Sequence, residues 1–120
     1  MKSHPLQEHF RDLLTPLFPR GADLNVVPAD SDELKFVVDW RTPTPERPNK
    51  HSRPIELHLT SELLDDYSDA HDIDFQRRGE KRIAEYVMAR LAAFDPTHNV
   101  PAAVPVPRET WVLGTALLGR

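Results

Sequence analysis

The sequence predicts one domain of the α+β class, because its hydrophobic period changes from two residues to about 3.6 residues within a single segment. Residues 55–60 alternate apolar and polar side chains, as a half-buried strand does, and so do residues 33–41. A stripe at helical spacing follows, made of Phe75, Gly79, Ile83, Val87 and Leu91. These patterns predict a small, mostly antiparallel sheet of about three to four strands, covered on one face by about two to three helices.

The first predicted element is a helix near the N-terminus. Its apolar residues follow i, i+3, i+4, i+7 spacing and are Leu6, Phe10, Leu13, Leu14 and Leu17. Ser3 is placed to cap the first turn of this helix. Pro16 disfavours helical geometry at Thr15, so we expect the helix to end near Leu14.

Three strands are predicted next. Residues 24–27 form the first strand and residues 33–41 the second. Turn-forming residues at 29–32 separate them, so we expect the two strands to pair as a hairpin. Residues 55–60 form the third strand. Its inward residues are Ile55, Leu57 and Leu59, and its outward residues are Glu56 and His58.

A helical turn or short helix is predicted directly after the third strand, over residues 62–67. Either Thr60 or Ser61 can cap it. The helical stripe extends backward through Tyr67 and His71, so one uninterrupted helix reaching the end of the stripe is an alternative interpretation.

We favour two helices with a break at residues 71–74. Asp72 or Asp74 can cap the second helix with its carboxylate. We expect that helix to end before Asp95, because Asp95 precedes Pro96 and a residue before proline is driven away from helical geometry.

The last predicted element is a strand at residues 109–117, with Gly114 as a candidate bulge. The predicted order over residues 1–120 is α-β-β-β-α-α-β. Twelve of the 120 residues are proline, and they cluster mostly in connections that lack hydrophobic periodicity. Residues 42–54 and 95–107 are the two proline-rich connections.

Composition narrows the class of protein. The hydrophobic fraction of 39% and charged fraction of 28% are ordinary for a globular domain, and the net charge of -4 gives no general attraction to nucleic acid. Zero cysteines exclude a disulfide framework, a thiol nucleophile and cysteine-ligated zinc. The sequence has neither a signal-peptide core nor an apolar run near the roughly 20 residues of a membrane span. We expect a soluble, cytoplasmic protein with no membrane partner.

An acidic segment precedes the long helix and contains Glu62, Asp65, Asp66, Asp69, Asp72 and Asp74. The subset Asp69, His71, Asp72 and Asp74 combines carboxylates with an imidazole, as metal sites do. Its spacing matches no calcium loop, and carboxylates near a helix N-terminus are stabilised by roughly 0.3–1 kcal/mol through the helix dipole. Helix stabilisation is the favoured interpretation, a metal site is the alternative, and no cofactor is predicted.

Seven basic residues form the candidate partner-binding set: Arg47, Lys50, Arg53, Arg77, Arg78, Lys81 and Arg82. The first three lie in a proline-rich connection, and the other four lie opposite the apolar stripe of the long helix. Together they could bind phosphate groups. Glu80 and Glu85 dilute the charge, and no aromatic residues alternate with the basic ones to stack bases, so a solvated helix face is favoured.

Arg90 projects toward the apolar face of the same helix, between Tyr86 and Phe94. A buried charge there would cost free energy without a partner. The side chain therefore either extends to solvent from the last turn of the helix or pairs with a buried carboxylate such as Asp39 or Glu56.

The six histidines form no recognisable catalytic pattern; they are His4, His9, His51, His58, His71 and His98. No nucleophile elbow, metal-binding HExxH helix or glycine-rich phosphate loop is present in the sequence. His58 is expected to pair with Glu56 on the strand surface. A small hydrolase would need a pocket around His58 or His71, so a non-enzymatic protein is favoured.

Three features of residues 55–114 occur together. A strand leads into Leu59-Thr60-Ser61-Glu62-Leu63-Leu64-Asp65-Asp66-Tyr67, an arginine-rich helix contains Arg82-Ile83-Ala84-Glu85-Tyr86-Val87, and a final strand runs through Trp111-Val112-Leu113. This half of the chain resembles small proteobacterial domains of unknown function. The resemblance implies a bacterial domain without an assigned activity, and it identifies no functional residue.

The sequence therefore predicts an accessory or regulatory module that binds another macromolecule, with a protein as the favoured partner. Proline-rich segments at 42–54 and 100–107 lose little entropy on binding, and a sheet edge could accept another strand, including one from a second copy of the chain. A nucleic-acid-binding protein is the main alternative, and a small hydrolase is the third.

Overall fold

A computed structural model describes residues 5–27, 32–42, 45–46, 48, 51–94 and 109–118. The element order is α-β-β-β-α-α-β, which confirms the predicted α+β class. The helices are α1 (Gln7–Leu14), α2 (Ser61–Asp69) and α3 (Ile73–Ala92). The strands are β1 (Asp23–Val27), β2 (Leu34–Asp39), β3 (Ile55–Leu59) and β4 (Glu109–Leu113). Short 3₁₀ turns at Thr15–Leu17 and Thr115–Leu118 follow α1 and β4.

The four strands form one sheet in the order β1-β2-β3-β4. β1 pairs with β2 and β2 pairs with β3 in antiparallel orientation, so the predicted hairpin of the first two strands is confirmed. β3 and β4 pair in parallel. Parallel neighbours need a long crossover connection, and α2 and α3 lie in it.

The register places the apolar sides of all four strands on the same face. Phe36 lies opposite Leu57, and Leu57 lies opposite Trp111; all three side chains are fully buried. Residues of all three helices join this core, including Phe10 of α1, Leu63 and Leu64 of α2, and Ile83 and Val87 of α3. The helices therefore cover one face of the sheet, as the period change predicted.

Side-chain caps explain where α2 and α3 begin. The Thr60 hydroxyl oxygen accepts a hydrogen bond from the backbone N–H of Leu63 at 3.2 Å, and Asp72 Oδ1 accepts one from the N–H of Asp74 at 2.9 Å. The break between the helices is thus confirmed, and the uninterrupted helix is wrong. Gln76 Nε2 closes the connection by donating to the carbonyls of Tyr67 and Ala70.

The N-terminal boundary of α1 differs from the prediction. Leu6 occupies the N-cap position and provides no side-chain hydrogen bond, while the predicted cap Ser3 lies outside the described residues. The C-terminal boundary at Leu14 is confirmed.

The closing strand is shorter than predicted. It ends at Leu113, and residues 115–118 form a 3₁₀ turn in place of the expected strand with a bulge at Gly114. The physical reason is packing: Leu118 is 1% exposed and lies against Gly79 of α3, so the chain must turn from the sheet toward the helices. No helix among the described residues is long and apolar enough to cross a membrane.

Candidate functional site

The exposed side of α3 carries a group of four cations that we call the basic face: Arg77, Arg78, Lys81 and Arg82. The opposite side of the helix buries Gly79, Ile83 and Val87 against the core, which forces the four cations toward solvent. A shallow depression of about 260 Å³ lies among Arg78, Lys81, Arg82 and Glu85. None of the four cations forms an ion pair with another residue in the described part of the chain.

An apolar side chain extends the basic face. Met88 is 56% exposed and follows Lys81 by seven residues, which is about two helical turns, so the two residues lie on the same side of α3. Exposed apolar side chains are common singly, but this one adjoins a group of unpaired cations. The surface can therefore offer both charge and an apolar contact to one partner.

Glu80 does not lie on the basic face. Its Oε1 atom accepts hydrogen bonds at the junction of the three helices, where His9 Nε2 lies at 2.7 Å and the Tyr67 hydroxyl at 3.1 Å. The Tyr67 hydroxyl also lies 2.8 Å from His9 Nε2. The helical wheel could have shown this, since Glu80 precedes the buried Ile83 by one turn and lies beside the apolar stripe. Sequence reasoning missed the contact with His9, because nothing local connects α1 with α3.

The junction changes the acidity of Tyr67. Burial, the negative charge of Glu80 and the hydrogen bond to Glu80 together raise the pKa of Tyr67 to about 12. The phenol therefore keeps its proton at any physiological pH. The neutral phenol can therefore donate its proton in a hydrogen bond, and it links α2 to α1 and α3.

The remaining candidate cations are not part of the same surface. Arg47 and Lys50 lie outside the described residues. Arg53 Nη2 donates to Glu109 Oε2 at 3.2 Å, and its guanidinium stacks on the ring of Phe94 at 4.8 Å. Its side chain is only 17% exposed. Of the seven candidate cations, the four on α3 therefore lie together on one surface. Arg53 lies apart from them, in contact with Glu109 and Phe94.

Arg90 has a different partner from the two that the sequence suggested. Its Nη2 lies 3.7 Å from Glu109 Oε1, and its guanidinium lies 5.5 Å from the ring centroid of Trp111. The side chain is 44% exposed, so it extends toward solvent. The proposed pairing with Asp39 or Glu56 is wrong. Glu109 is the first residue of β4, and alternation along the strand places it on the same side as the buried Trp111 and Leu113, which is the helical side.

The histidines considered for catalysis occupy surface positions. His58 Nε2 lies 2.6 Å from Glu33 Oε2 on the open face of the sheet, so the expected pairing with Glu56 is wrong. Glu56 instead accepts a hydrogen bond from Thr110. His71 is exposed between α2 and α3. Neither the depression on α3 nor the groove described below is lined by His58 or His71.

Two residues of the acidic segment stabilise the N-terminus of α3. Asp72 caps α3, and Asp74 lies in the first turn of that helix. Among the described residues, no group of three histidine, aspartate or glutamate side chains converges in a way that could hold a metal ion.

Comparisons with protein-family models, with curated proteins and with solved structures find no match for this chain. The resemblance to small proteobacterial domains stays a prediction.

Proposed function

We propose that this chain is a non-enzymatic accessory module that binds an acidic segment of another protein along the exposed side of α3. The observation that carries the proposal is the basic face, four exposed cations without an ion pair to the described residues. Three other arginines in the described parts of the chain are paired: Arg11 contacts Glu8, and Arg53 and Arg90 both contact Glu109. Arg20 and Lys35 have no ion pair with the described residues either, but they lie on separate elements, whereas the four cations of the basic face share one helix side.

An acidic partner follows from charge complementarity. Four like charges on one helix side repel one another, and an opposing group of carboxylates would relieve this repulsion on binding. Arginine is well suited to the task, because its guanidinium forms two parallel hydrogen bonds with a carboxylate. Met88 adds an apolar contact at the C-terminal end of the basic face.

A protein partner is favoured over nucleic acid because an apolar side chain adjoins the cations. Met88 is 56% exposed, and a duplex backbone offers no matching apolar group. Glu85 and the net charge of -4 weaken the attraction of any polyanion. They count most against a long one, which brings more negative charge to the chain than a short acidic segment does. The zero cysteine count suits a reducing cytoplasm, and the resemblance described above favours a bacterial one.

A charge-reversal experiment tests the proposal. We expect a labelled, glutamate-rich peptide with one central leucine to bind the native chain in a fluorescence anisotropy titration, and added salt to weaken the binding. Arg78→Glu with Arg82→Glu should weaken binding by at least about tenfold, because ion pairs of up to about 1 kcal/mol each are replaced by repulsion. A lysine-rich version of the peptide should bind this variant better than it binds the native chain.

The matched control changes the net charge equally at a different surface. Arg20 is exposed before β1, and Lys35 lies on the open side of the sheet, away from the helices. Arg20→Glu with Lys35→Glu should leave the affinity nearly unchanged if the basic face is the site. Equal losses in both double variants would show only a general charge effect and would contradict the proposal.

Two further arms separate the alternatives. Met88→Ser should weaken binding of the leucine peptide but not of a peptide in which serine replaces that leucine. A DNA duplex that binds more tightly than the peptide, and loses affinity in the Arg78→Glu, Arg82→Glu variant, would establish the nucleic-acid alternative and overturn the protein-binding one.

A further inference from the structure

A groove of about 580 Å³ lies between α1 and the strand β1. We call it the α1–β1 groove. The helix and the turn after it contribute Arg11, Asp12 and Thr15, and β1 contributes Asp23, Leu24 and Asn25. Because consecutive side chains of a strand point to opposite faces, a groove lined by three consecutive residues must reach the backbone edge of that strand.

The outer edge of β1 faces no other strand in the described part of the chain. β1 lies at the end of the sheet, and among the described strands it pairs with β2 alone. A strand in antiparallel pairing turns alternate N–H and C=O groups away from its neighbour, so β1 directs such groups into the groove. An extended polypeptide could form a second ladder with them.

Charge in the groove selects the kind of polypeptide. Asp12 and Asp23 are both exposed, and neither has an ion pair within the described ranges. Asp39 lies directly opposite Asp23 on β2 but does not line the groove, and its Oδ1 lies 3.8 Å from His51 Nδ1. The two groove carboxylates favour lysine or arginine side chains. They disfavour a second copy of β1, which would bring its own aspartate to the same edge.

Arg11 also lines the groove, but its charge does not oppose a basic ligand unbalanced. Its Nη1 lies 3.3 Å from Glu8 Oε1, so a carboxylate already accompanies the guanidinium. The unpaired carboxylates of Asp12 and Asp23 therefore decide the charge preference of the groove.

We infer that the α1–β1 groove binds an extended, lysine- or arginine-bearing segment of another polypeptide by adding it as a strand beside β1. Asp12 and Asp23 contact the basic side chains, and the β1 edge pairs with the backbone. This site is independent of the proposed function, because it uses different residues and prefers the opposite charge.

A peptide titration followed by NMR tests the charge preference. A short peptide of alternating valine and lysine should shift the backbone amide signals of β1 and of residues 11–15, and the same peptide with glutamate should not. Asp12→Lys should weaken binding by about tenfold. Asp65→Lys, an exposed aspartate changed in the same way on α2, is the matched control and should have little effect.

N-methylated peptides test strand addition itself. An extended peptide has two backbone edges, and only one of them can face β1. Two isomers of the valine–lysine peptide are methylated on the amides of one edge or of the other edge, and they carry the same side chains. One isomer should lose about tenfold or more in affinity, while the other should bind like the unmodified peptide.

Several results would overturn the inference. Equal binding of the two isomers would exclude strand addition, and equal binding of the lysine and glutamate peptides would exclude the charge preference. Absence of signal shifts at millimolar peptide would exclude the site. Concentration-dependent shifts of β1 without peptide, together with a doubled mass in solution, would assign the edge to a second copy of the chain.

Discussion

The Tyr67 hydroxyl connects three helices through one oxygen atom. Its ring packs at 5.2 Å from the ring of Phe10, and the side chain belongs to α2 while its polar partners belong to α1 and α3. The contact of 2.7 Å between His9 Nε2 and Glu80 Oε1 requires a proton between these atoms, so the phenol donates its own proton to Glu80. The network is thus complete only when Tyr67 is protonated.

We expect stability to fall with rising pH because of this residue. The folded pKa is about 12 and the ordinary value is 10.0, so between these pH values the folded chain holds a proton that the unfolded chain has lost. Unfolding then releases a proton, and the free energy of unfolding should drop by about 2–3 kcal/mol across this window, having been unaffected below it. Urea unfolding at a series of alkaline pH values measures the drop.

The variant Tyr67→Phe should abolish most of this alkaline loss. It should also cost about 1 kcal/mol at neutral pH, because it removes one hydrogen bond and leaves Glu80 paired with His9. Tyr86→Phe removes the other tyrosine hydroxyl and serves as the control. The tyrosinate absorbance of the native chain should rise in two steps, one for each tyrosine. A single step that loses half its amplitude in Tyr67→Phe would show that both tyrosines ionise together, and the raised pKa of Tyr67 would be wrong.

At the scale of elements, the packing of α3 against the 3₁₀ turn Thr115–Leu118 requires a glycine at position 79. A Cβ atom at Gly79 would lie 2.6 Å from Leu118 Cδ2, well inside van der Waals contact. Gly79 is buried in the middle of α3, where glycine is a poor helix former. The close approach of Thr115–Leu118 explains why a glycine stands there.

Gly79→Ala should therefore change the free energy of unfolding differently in two backgrounds. In the native chain, a gain of about 1 kcal/mol in helix propensity is offset by about 1–3 kcal/mol of overpacking against Leu118, so we expect no gain or a loss. In the Leu118→Ala background the obstacle is gone, and the same change should stabilise by up to about 1 kcal/mol. Thermal unfolding of the four variants forms a double-mutant cycle. Equal effects in both backgrounds would show that Leu118 does not constrain this position.

These elements also show what a sequence can and cannot predict. Alternation over residues 33–41 and 55–60 and the stripe from Phe75 to Leu91 predicted strands and helices correctly, because a single buried face imposes its period on the residues. Residues 114–117 were predicted as the end of the closing strand, with a bulge at Gly114, yet residues 115–118 form a 3₁₀ turn toward α3. Their conformation depends on the packing of Leu118 against Gly79, more than thirty residues earlier in the chain. The hydrophobic pattern of the segment itself cannot indicate a contact with so distant a residue.

At the scale of the whole molecule, the register of β4 on β3 brings one carboxylate to two cations from different parts of the chain. Glu109 lies opposite Ile55, two residues after Arg53, and it contacts both Arg53 and Arg90. The four cations of the basic face have no ion pair with the described residues. The sequence predicted the four cations of α3 as one surface, since a helix fixes their spacing. It could not predict which other cations would form ion pairs with Glu109, because those pairs depend on which strand lies beside β4.

The buried core between the sheet and the helices should unfold as one cooperative unit. Leu57 lies at its centre, opposite Phe36 on β2 and Trp111 on β4, and all three are fully buried. Leu57→Ala should cost about 2–5 kcal/mol and should lower amide hydrogen-exchange protection to the same extent in α1, α3 and the central strands, because these elements share one core. Val112→Ala, on the open face and 52% exposed, should leave protection nearly unchanged. If Leu57→Ala lowers protection in β3 and its neighbours while α1 keeps its native values, the helices and the sheet unfold separately and a single cooperative core is wrong.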